Sequence, residues 1–174
     1  MTGIQHLSWI EKEAQRDYIK PSQRGGEMAT LIGIILVTFF FYAHQAWSSG
    51  FFTPSFGALE QFLFYGSILL GMLGPITRMA TGRRNAARPP ELMSSILWIV
   101  ASIWLLSVFP FNFAHFADVI PDFLRFLVSW VTNDIATILI ILGTLGGVVF
   151  IGINALLYVK VRAKLETGRD ALTA

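Results

Sequence analysis

The sequence predicts an all-α integral membrane protein with four transmembrane helices, and three observations support this fold class. First, 54% of the 174 residues are hydrophobic and only 14% are charged, whereas soluble domains carry roughly 25% charged residues. Second, four long apolar runs follow one another, each near the ~20 residues that a helix needs to cross a bilayer. Third, these runs show no sustained alternation of apolar and polar residues, which disfavours membrane strands.

The chain begins with a segment, residues 4–20, that is predicted to form an amphipathic helix. Its apolar residues recur at three- and four-residue steps, and basic and acidic residues fill the other face. We expect this helix to lie on the inner membrane surface, with docking to a protein as the sharper alternative. The sequence RGGE at residues 24–27 then predicts a hinge before the first span.

The four spans are predicted at residues 28–47, 59–80, 92–109 and 134–159. Pro75 removes a backbone hydrogen bond one turn earlier, near Gly71, so span two should kink toward its inner end. Pro89 and Pro90 predict the start of span three, because proline is tolerated in the first turn of a helix. The connections are too short for another folded unit, so residues 1–174 are predicted to form a single domain.

Lysine and arginine residues predict the orientation. They precede span one, fill the loop between spans two and three, and follow span four, so that Arg125 is the only base elsewhere. Cytoplasmic loops are enriched in such residues. We therefore expect a multi-pass protein of the cell membrane with both termini in the cytoplasm. Its expected partners are the lipid bilayer and other membrane subunits, and the basic loop lacks the interleaved aromatic residues of a nucleic-acid site.

The outer segment at residues 110–133 is predicted to be an interfacial helix or loop that covers the bundle. From Phe116 onward, apolar residues recur on one helical face and polar residues on the other. Pro121 either kinks this helix or begins it. We expect its aromatic side chains to anchor the segment at the membrane boundary and to pack onto the bundle. The anchor residues are Phe116, Phe123, Phe126 and Trp130.

Side chains that could carry chemistry are few. His44 and His115 are candidates for binding haem, a quinone or a metal, although no pair of ligands is predicted to project from one helix at a spacing of three or four residues. Acidic residues on the outer side suggest a possible mouth for cations. These are Glu60, Asp118, Asp122 and Asp134. The absence of cysteine excludes disulfides and thiolate ligands, and we expect no catalytic residue, metal or cofactor.

Small residues within the spans predict tight helix packing, because they let two backbones approach closely. They are Gly33, Ser67, Gly71, Gly74, Gly143 and Gly147. No span carries an acid or base near its middle, so an ion-coupled transporter would lack its usual group. The leading hypothesis is a non-enzymatic membrane component, acting in a homo-oligomer or a larger assembly. The alternatives are a small cation channel or transporter with an acidic outer mouth, and a redox subunit that binds haem or quinone.

Overall fold

A computed structural model describes residues 8–173, with side chains as far as residue 168. Within these residues the α-helices are α1 Trp9–Gln15, α2 Arg24–Ala46, α3 Ala58–Leu70, α4 Leu73–Thr81, α5 Arg84–Val108 and α6 Asn133–Thr173. Short 3-10 helices cover Pro21–Gln23, Phe113–His115 and Asp122–Leu127. Four helical segments of this described part are long and apolar enough to cross a membrane. The predicted helical fold class with four candidate spans is confirmed.

Helix α5 lies at the centre of the bundle. It packs against α6 on one side and against α3 and α4 on the other, while α2 packs on α3 and α4. Helix α1 packs against α6. We call the end of the bundle where α4 passes into α5 the basic end. The opposite end, formed by loops 47–57 and 109–132, is called the aromatic end.

The start of α5 differs from the prediction, because the helix begins at Arg84 and both prolines lie inside it. Pro89 and Pro90 leave two carbonyls of the first turn without a helical partner. The start of the helix is held instead by Asp17, whose Oδ1 accepts the backbone N–H of Asn85 at 2.7 Å in a buried position. A carboxylate at a helix N-terminus satisfies an unpaired donor and complements the helix dipole. The prediction that the prolines start the helix is therefore wrong.

The N-terminal segment is helical over Trp9–Gln15 only, and residues 4–7 lie outside the described residues. Ser8 and Glu11 form a capping box, in which Glu11 Oε2 accepts the Ser8 N–H at 2.9 Å. The pKa of Glu11 is lowered from its usual value, first by this N–H and then by the Lys164 ammonium. The Lys164 Nζ lies 3.0 Å from Glu11 Oε1. Helix α1 is therefore tied to the end of α6.

The chain turns into the first span earlier than predicted. Residues 24–27 belong to α2, so the hinge predicted there is wrong. The turn lies instead at Pro21–Gln23, directly after the buried residue Ile19. The Ile19 N–H donates to the Gly82 carbonyl at 2.8 Å, which fixes the incoming chain against the α4–α5 turn.

The predicted kink of span two is confirmed. Helix α3 ends at Leu70 and α4 begins at Leu73, so the helical segment breaks at Gly71 and Met72. Pro75 has no N–H to donate to the Gly71 carbonyl. Beyond the break, the last turn of α4 meets charged residues from two other helices, α2 and α5.

Two of the predicted packing glycines allow close approach to α5. A Cβ added at Gly147 would lie 3.3 Å from Ile99 Cγ1, and one added at Gly74 would lie 2.7 Å from Glu91 Cγ. Side chains larger than hydrogen at either position would displace the facing residue of α5. These glycines thus bring α6 and α4 against the central helix.

The other predicted packing residues fall into two groups. Ser67 is buried and donates to the Phe64 carbonyl at 2.9 Å. A Cβ at Gly71 would lie 2.9 Å from the Ile68 carbonyl oxygen, and one at Gly143 would make an ordinary contact with Trp98 at 3.9 Å. Gly33 differs, because no described atom lies within 4 Å of the position that its Cβ would take. Within the described residues, Gly33 therefore has no close neighbour on its Cβ side.

A leucine at Gly147 is expected to destabilise the protein by about 2 kcal/mol, because it would overpack the α5–α6 contact. Gly146 is the matched control, since no described atom lies within 4 Å of its Cβ position. Thermal unfolding in detergent would measure both variants. Equal unfolding midpoints for Gly147→Leu and Gly146→Leu would contradict the packing that we describe.

The outer segment forms turns and a 3-10 helix at Asp122–Leu127, preceded by Pro121, rather than an amphipathic α-helix from Phe116. A 3-10 helix has three residues per turn, so Phe123 and Phe126 lie on one edge. They are 75% and 69% exposed, and Trp130 is 58% exposed. The expectation that these rings pack onto the bundle is wrong. Of the four anchor residues, only Phe116 packs against the buried cluster that contains Phe51, Phe56 and Phe111.

Candidate functional site

Charged residues from three helices meet at the basic end of the bundle. Arg78 of α4 pairs with Glu27 of α2 through its Nε at 2.8 Å, and with Glu91 of α5 through its Nη1. All three side chains are about four-fifths buried, with 21% of Arg78 and 18% of each glutamate exposed. Burying these charges is tolerable because the guanidinium compensates both carboxylates. We call Glu27, Arg78 and Glu91 the ionic triad.

A second arginine, Arg88 of α5, lies beside this triad. Its Nη1 donates to Asn154 Oδ1 of α6 at 2.9 Å, and its Nη2 lies 3.4 Å from Glu13 Oε2 of α1. The Arg88 side chain is 9% exposed. Its Nε is buried and has no hydrogen-bond partner among the described residues. This guanidinium therefore has a donor left for an acceptor that the described chain does not supply.

A polar cavity of about 310 Å³ lies among these groups. Its lining residues are Glu13, Glu27, Arg78, Arg84, Arg88, Glu91 and Asn154. They come from five helices, which makes this cavity the point where α1, α2, α4, α5 and α6 converge. Three guanidinium groups and three carboxylates face it, so the cavity can accommodate a charged group.

An apolar cavity of about 230 Å³ lies deeper in the bundle, between α2, α3, α5 and α6. Val37 and Phe41 of α2 line one side, and Ile140 of α6 lines another. Trp98 and Ala101 of α5 also face this cavity. Rings from the loops at the aromatic end close it, namely Phe51, Phe111 and Phe113. Such a lining suits a hydrocarbon group and offers little to a polar one.

His44 lies at the aromatic end and is 1% exposed. Its Nδ1 is 2.6 Å from Ser49 Oγ, which in turn accepts the Phe51 N–H at 3.3 Å. These bonds fix the turn after α2, in which Ser48 has the strained φ of 48°. His44 Nε2 is buried without a hydrogen-bond partner in the described part of the chain. The geometry gives His44 a role in organising this turn.

His115 has different neighbours. Its Nδ1 is 2.8 Å from Asp118 Oδ2, and both side chains are more than two-fifths exposed. A Cβ at Gly50, where φ is 92°, would lie 3.0 Å from the His115 ring, so the glycine makes room for this imidazole. No group of three His, Asp or Glu side chains within the described residues is arranged to hold a metal ion. The two candidate histidines are thus engaged separately.

The four acids predicted as a cation mouth have separate surroundings. Glu60 accepts the Trp104 Nε1–H at 2.9 Å and the Gly57 N–H at 3.0 Å, so it caps α3. Asp118 faces His115, Asp122 lies 3.2 Å from Arg125, and Asp134 lines a shallow surface cavity. Each acid therefore has local contacts that explain its position without a shared ion path.

Comparison with protein-family models, curated proteins and solved structures found no match for this chain. Its function is inferred below from the geometry alone.

Proposed function

We propose that this chain is a non-enzymatic subunit of a multi-pass membrane assembly, and that a second copy of the chain is its simplest partner. A groove of about 380 Å³ between α2 and α3 is the observation that carries this proposal. Its lining residues are Ile35, Thr38, Phe39, Tyr42, Gln45, Gln61, Tyr65 and Leu69. Phe39 and Tyr42 are 64% and 58% exposed, so the groove opens on the outside of the bundle.

The polar groups in this groove favour a protein partner over lipid alone. Tyr65 Oη donates to Gln45 Oε1 at 2.9 Å, and Gln61 Nε2 makes a long bond of 3.4 Å to the Phe56 carbonyl. Each carboxamide carries two N–H donors, so both glutamines have donors beyond these bonds. Polar side chains at transmembrane helix surfaces form hydrogen bonds across helices, whereas lipid tails offer none. A second helix in the groove would accept these bonds.

The orientation forms part of the proposal. We place the basic end in the cytoplasm of the cell, because cytoplasmic loops are enriched in lysine and arginine. Both termini then lie on the cytoplasmic side. The exposed rings of Phe123, Phe126 and Trp130 would lie at the opposite membrane boundary, where aromatic residues are enriched.

The absence of cysteine makes disulfide cross-linking a direct test. Single variants Ile35→Cys, Phe39→Cys and Tyr42→Cys place one thiol along the groove. If two copies pack groove to groove about a two-fold axis, at least one of these positions meets its own copy. Mild oxidation in native membranes should then give a disulfide-linked dimer of that variant.

Val149→Cys on α6 is the control, because this residue is 62% exposed on another helix. Its dimer yield reports random collisions in the membrane. Yields no higher in the groove than at Val149, together with a monomeric mass in mild detergent and no co-purifying protein, would contradict the proposal. A co-purifying protein with a monomeric chain would indicate a hetero-assembly instead.

The cation-channel and redox alternatives have no comparable support. The four outer acids have separate neighbours, and His44 is used in the turn after α2. We therefore propose neither as the function.

A further inference from the structure

We infer that this chain binds one phospholipid of the bilayer, with a hydrocarbon tail in the apolar cavity between α2, α3, α5 and α6 and its phosphate in the polar cavity at the basic end. The two cavities differ in chemistry as the two ends of a phospholipid do. This site shares no lining residue with the α2–α3 groove.

Helices α2, α5 and α6 line both cavities. Helix α5 contributes Glu91 to the polar cavity and Trp98 to the apolar cavity. Helix α6 contributes Asn154 and Ile140 in the same order. The two cavities therefore follow each other along the bundle rather than lying on different faces.

The distance between the two cavities along the helices can be compared with the length of a lipid tail. Glu91 and Trp98 are seven residues apart in the sequence, which corresponds to about 10 Å along a helix. Asn154 and Ile140 are fourteen residues apart on α6, about 21 Å. One leaflet of the hydrocarbon core is ~15 Å thick, a length between these two distances. A tail anchored at the polar cavity therefore reaches the near end of the apolar one.

Between the two cavities, part of one face of α2 has no described neighbours. Gly26, Gly33 and Val37 recur at seven- and four-residue steps, which places them on one helical face. Val37 lines the apolar cavity, while Glu27, next to Gly26, lines the polar cavity. No described atom lies within 4 Å of the Cβ positions of Gly26 or Gly33. The α2 face between the two cavities is thus uncovered by other described residues, and it opens on the outside of the bundle, where Val37 is 46% exposed.

The phosphate would lie beside Arg88. The Arg88 side chain is 9% exposed, and its buried Nε has no hydrogen-bond partner among the described residues. A guanidinium matches phosphate oxygens in a forked geometry. Glu27 and Glu91 also line this cavity, but both pair with Arg78. Glu13 pairs with Arg88, with its Oε2 at 3.4 Å from Nη2. Arg88 Nε and the exposed Arg84, which lines the same cavity, are the donors left for an anionic oxygen among the described residues.

Trp98 provides a reporter, because bromine atoms on a lipid tail quench a nearby indole. We would titrate the protein in detergent with phosphatidylglycerol carrying brominated acyl chains, and separately with brominated diacylglycerol, which has the tails but no phosphate. We expect saturable quenching by the phospholipid, at a half-saturating mole fraction about tenfold lower than for diacylglycerol. The saturable component should vanish in Trp98→Phe.

Two variants separate the tail from the phosphate. Gly33→Leu should remove saturable quenching by both lipids while leaving folded yield unchanged, since the side chain points into open space. Arg88→Lys and Arg84→Gln should each reduce the preference for phospholipid over diacylglycerol. Arg84 is exposed, so its variant tests the headgroup even if Arg88→Lys folds poorly.

Either half of the inference can fail separately. Quenching that rises linearly and equally in the unmodified protein, Trp98→Phe and Gly33→Leu would overturn the tail site. Equal half-saturation by brominated phosphatidylglycerol and diacylglycerol would overturn the phosphate site. The cross-linking result does not affect either outcome.

Discussion

Arg78→Gln is expected to destabilise the folded protein by about 3–5 kcal/mol, because it leaves two buried carboxylates without their shared cation. The guanidinium lies 2.8 Å from Glu27 and also contacts Glu91, and all three side chains are largely buried. The change should lower the unfolding midpoint in detergent and the folded yield in membranes. It should affect α2, α4 and α5 together, since each contributes one member of the triad.

The combined variant Glu27→Gln, Arg78→Gln and Glu91→Gln is the control for this experiment. It removes all three charges, the two Glu→Gln changes keep the size of those side chains, and neutral replacement of a buried ion group is often tolerated. We expect it to recover most of the stability lost in Arg78→Gln. A combined variant as unstable as the single one would show that the charges are not the cause.

Phe51→Ala is expected to have an effect of similar size, about 3–5 kcal/mol, because it empties the centre of the aromatic end. Phe51 is 1% exposed. Its ring centroid lies 4.7 Å from that of His44, 4.9 Å from Phe52 and 5.1 Å from Phe113. The substitution should therefore loosen the turn after α2 and the outer segment together. Thermal unfolding in detergent would measure the loss.

Phe123→Ala is the matched control, because this phenylalanine is 75% exposed and lies in the same outer segment as Phe113. In detergent its stability should stay within about 0.5 kcal/mol of the unmodified protein. Equal losses for Phe51→Ala and Phe123→Ala would mean that the exposed rings pack more closely than the structure shows. Any requirement for Phe123 in membranes but not in detergent would instead reflect anchoring at the bilayer boundary.

Helix ends set by local chemistry were predictable. Pro75 produced the expected break at Gly71, because a missing N–H acts one turn away whatever surrounds it. Pro110 likewise ends α5, since the residue before a proline avoids the helical region. Phe109 leaves the right-handed helical region and adopts the left-handed φ of 41°.

Helix ends set by distant residues were not predictable. The first turns of α5 depend on Asp17, which accepts the Asn85 N–H across 68 positions of the chain. The sequence pattern around Pro89 and Pro90 contains no trace of that contact. The same limit applies to Phe116 and Phe123, which share one predicted face, because a 3-10 helix replaced the expected α-helix and only Phe116 reached the core.

The sequence by itself determined the helical class, the number of candidate spans and the break in span two, because hydrophobic length and proline chemistry act locally. Only the tertiary structure decided which polar residues meet. Arginines that the sequence explains as orientation signals become, through the convergence of five helices, the lining of a polar cavity with Glu27 and Glu91. His44, which the sequence offers only as a candidate ligand, is buried among aromatic rings. Burial and pairing depend on contacts between residues far apart in the chain, which periodicity and composition do not encode.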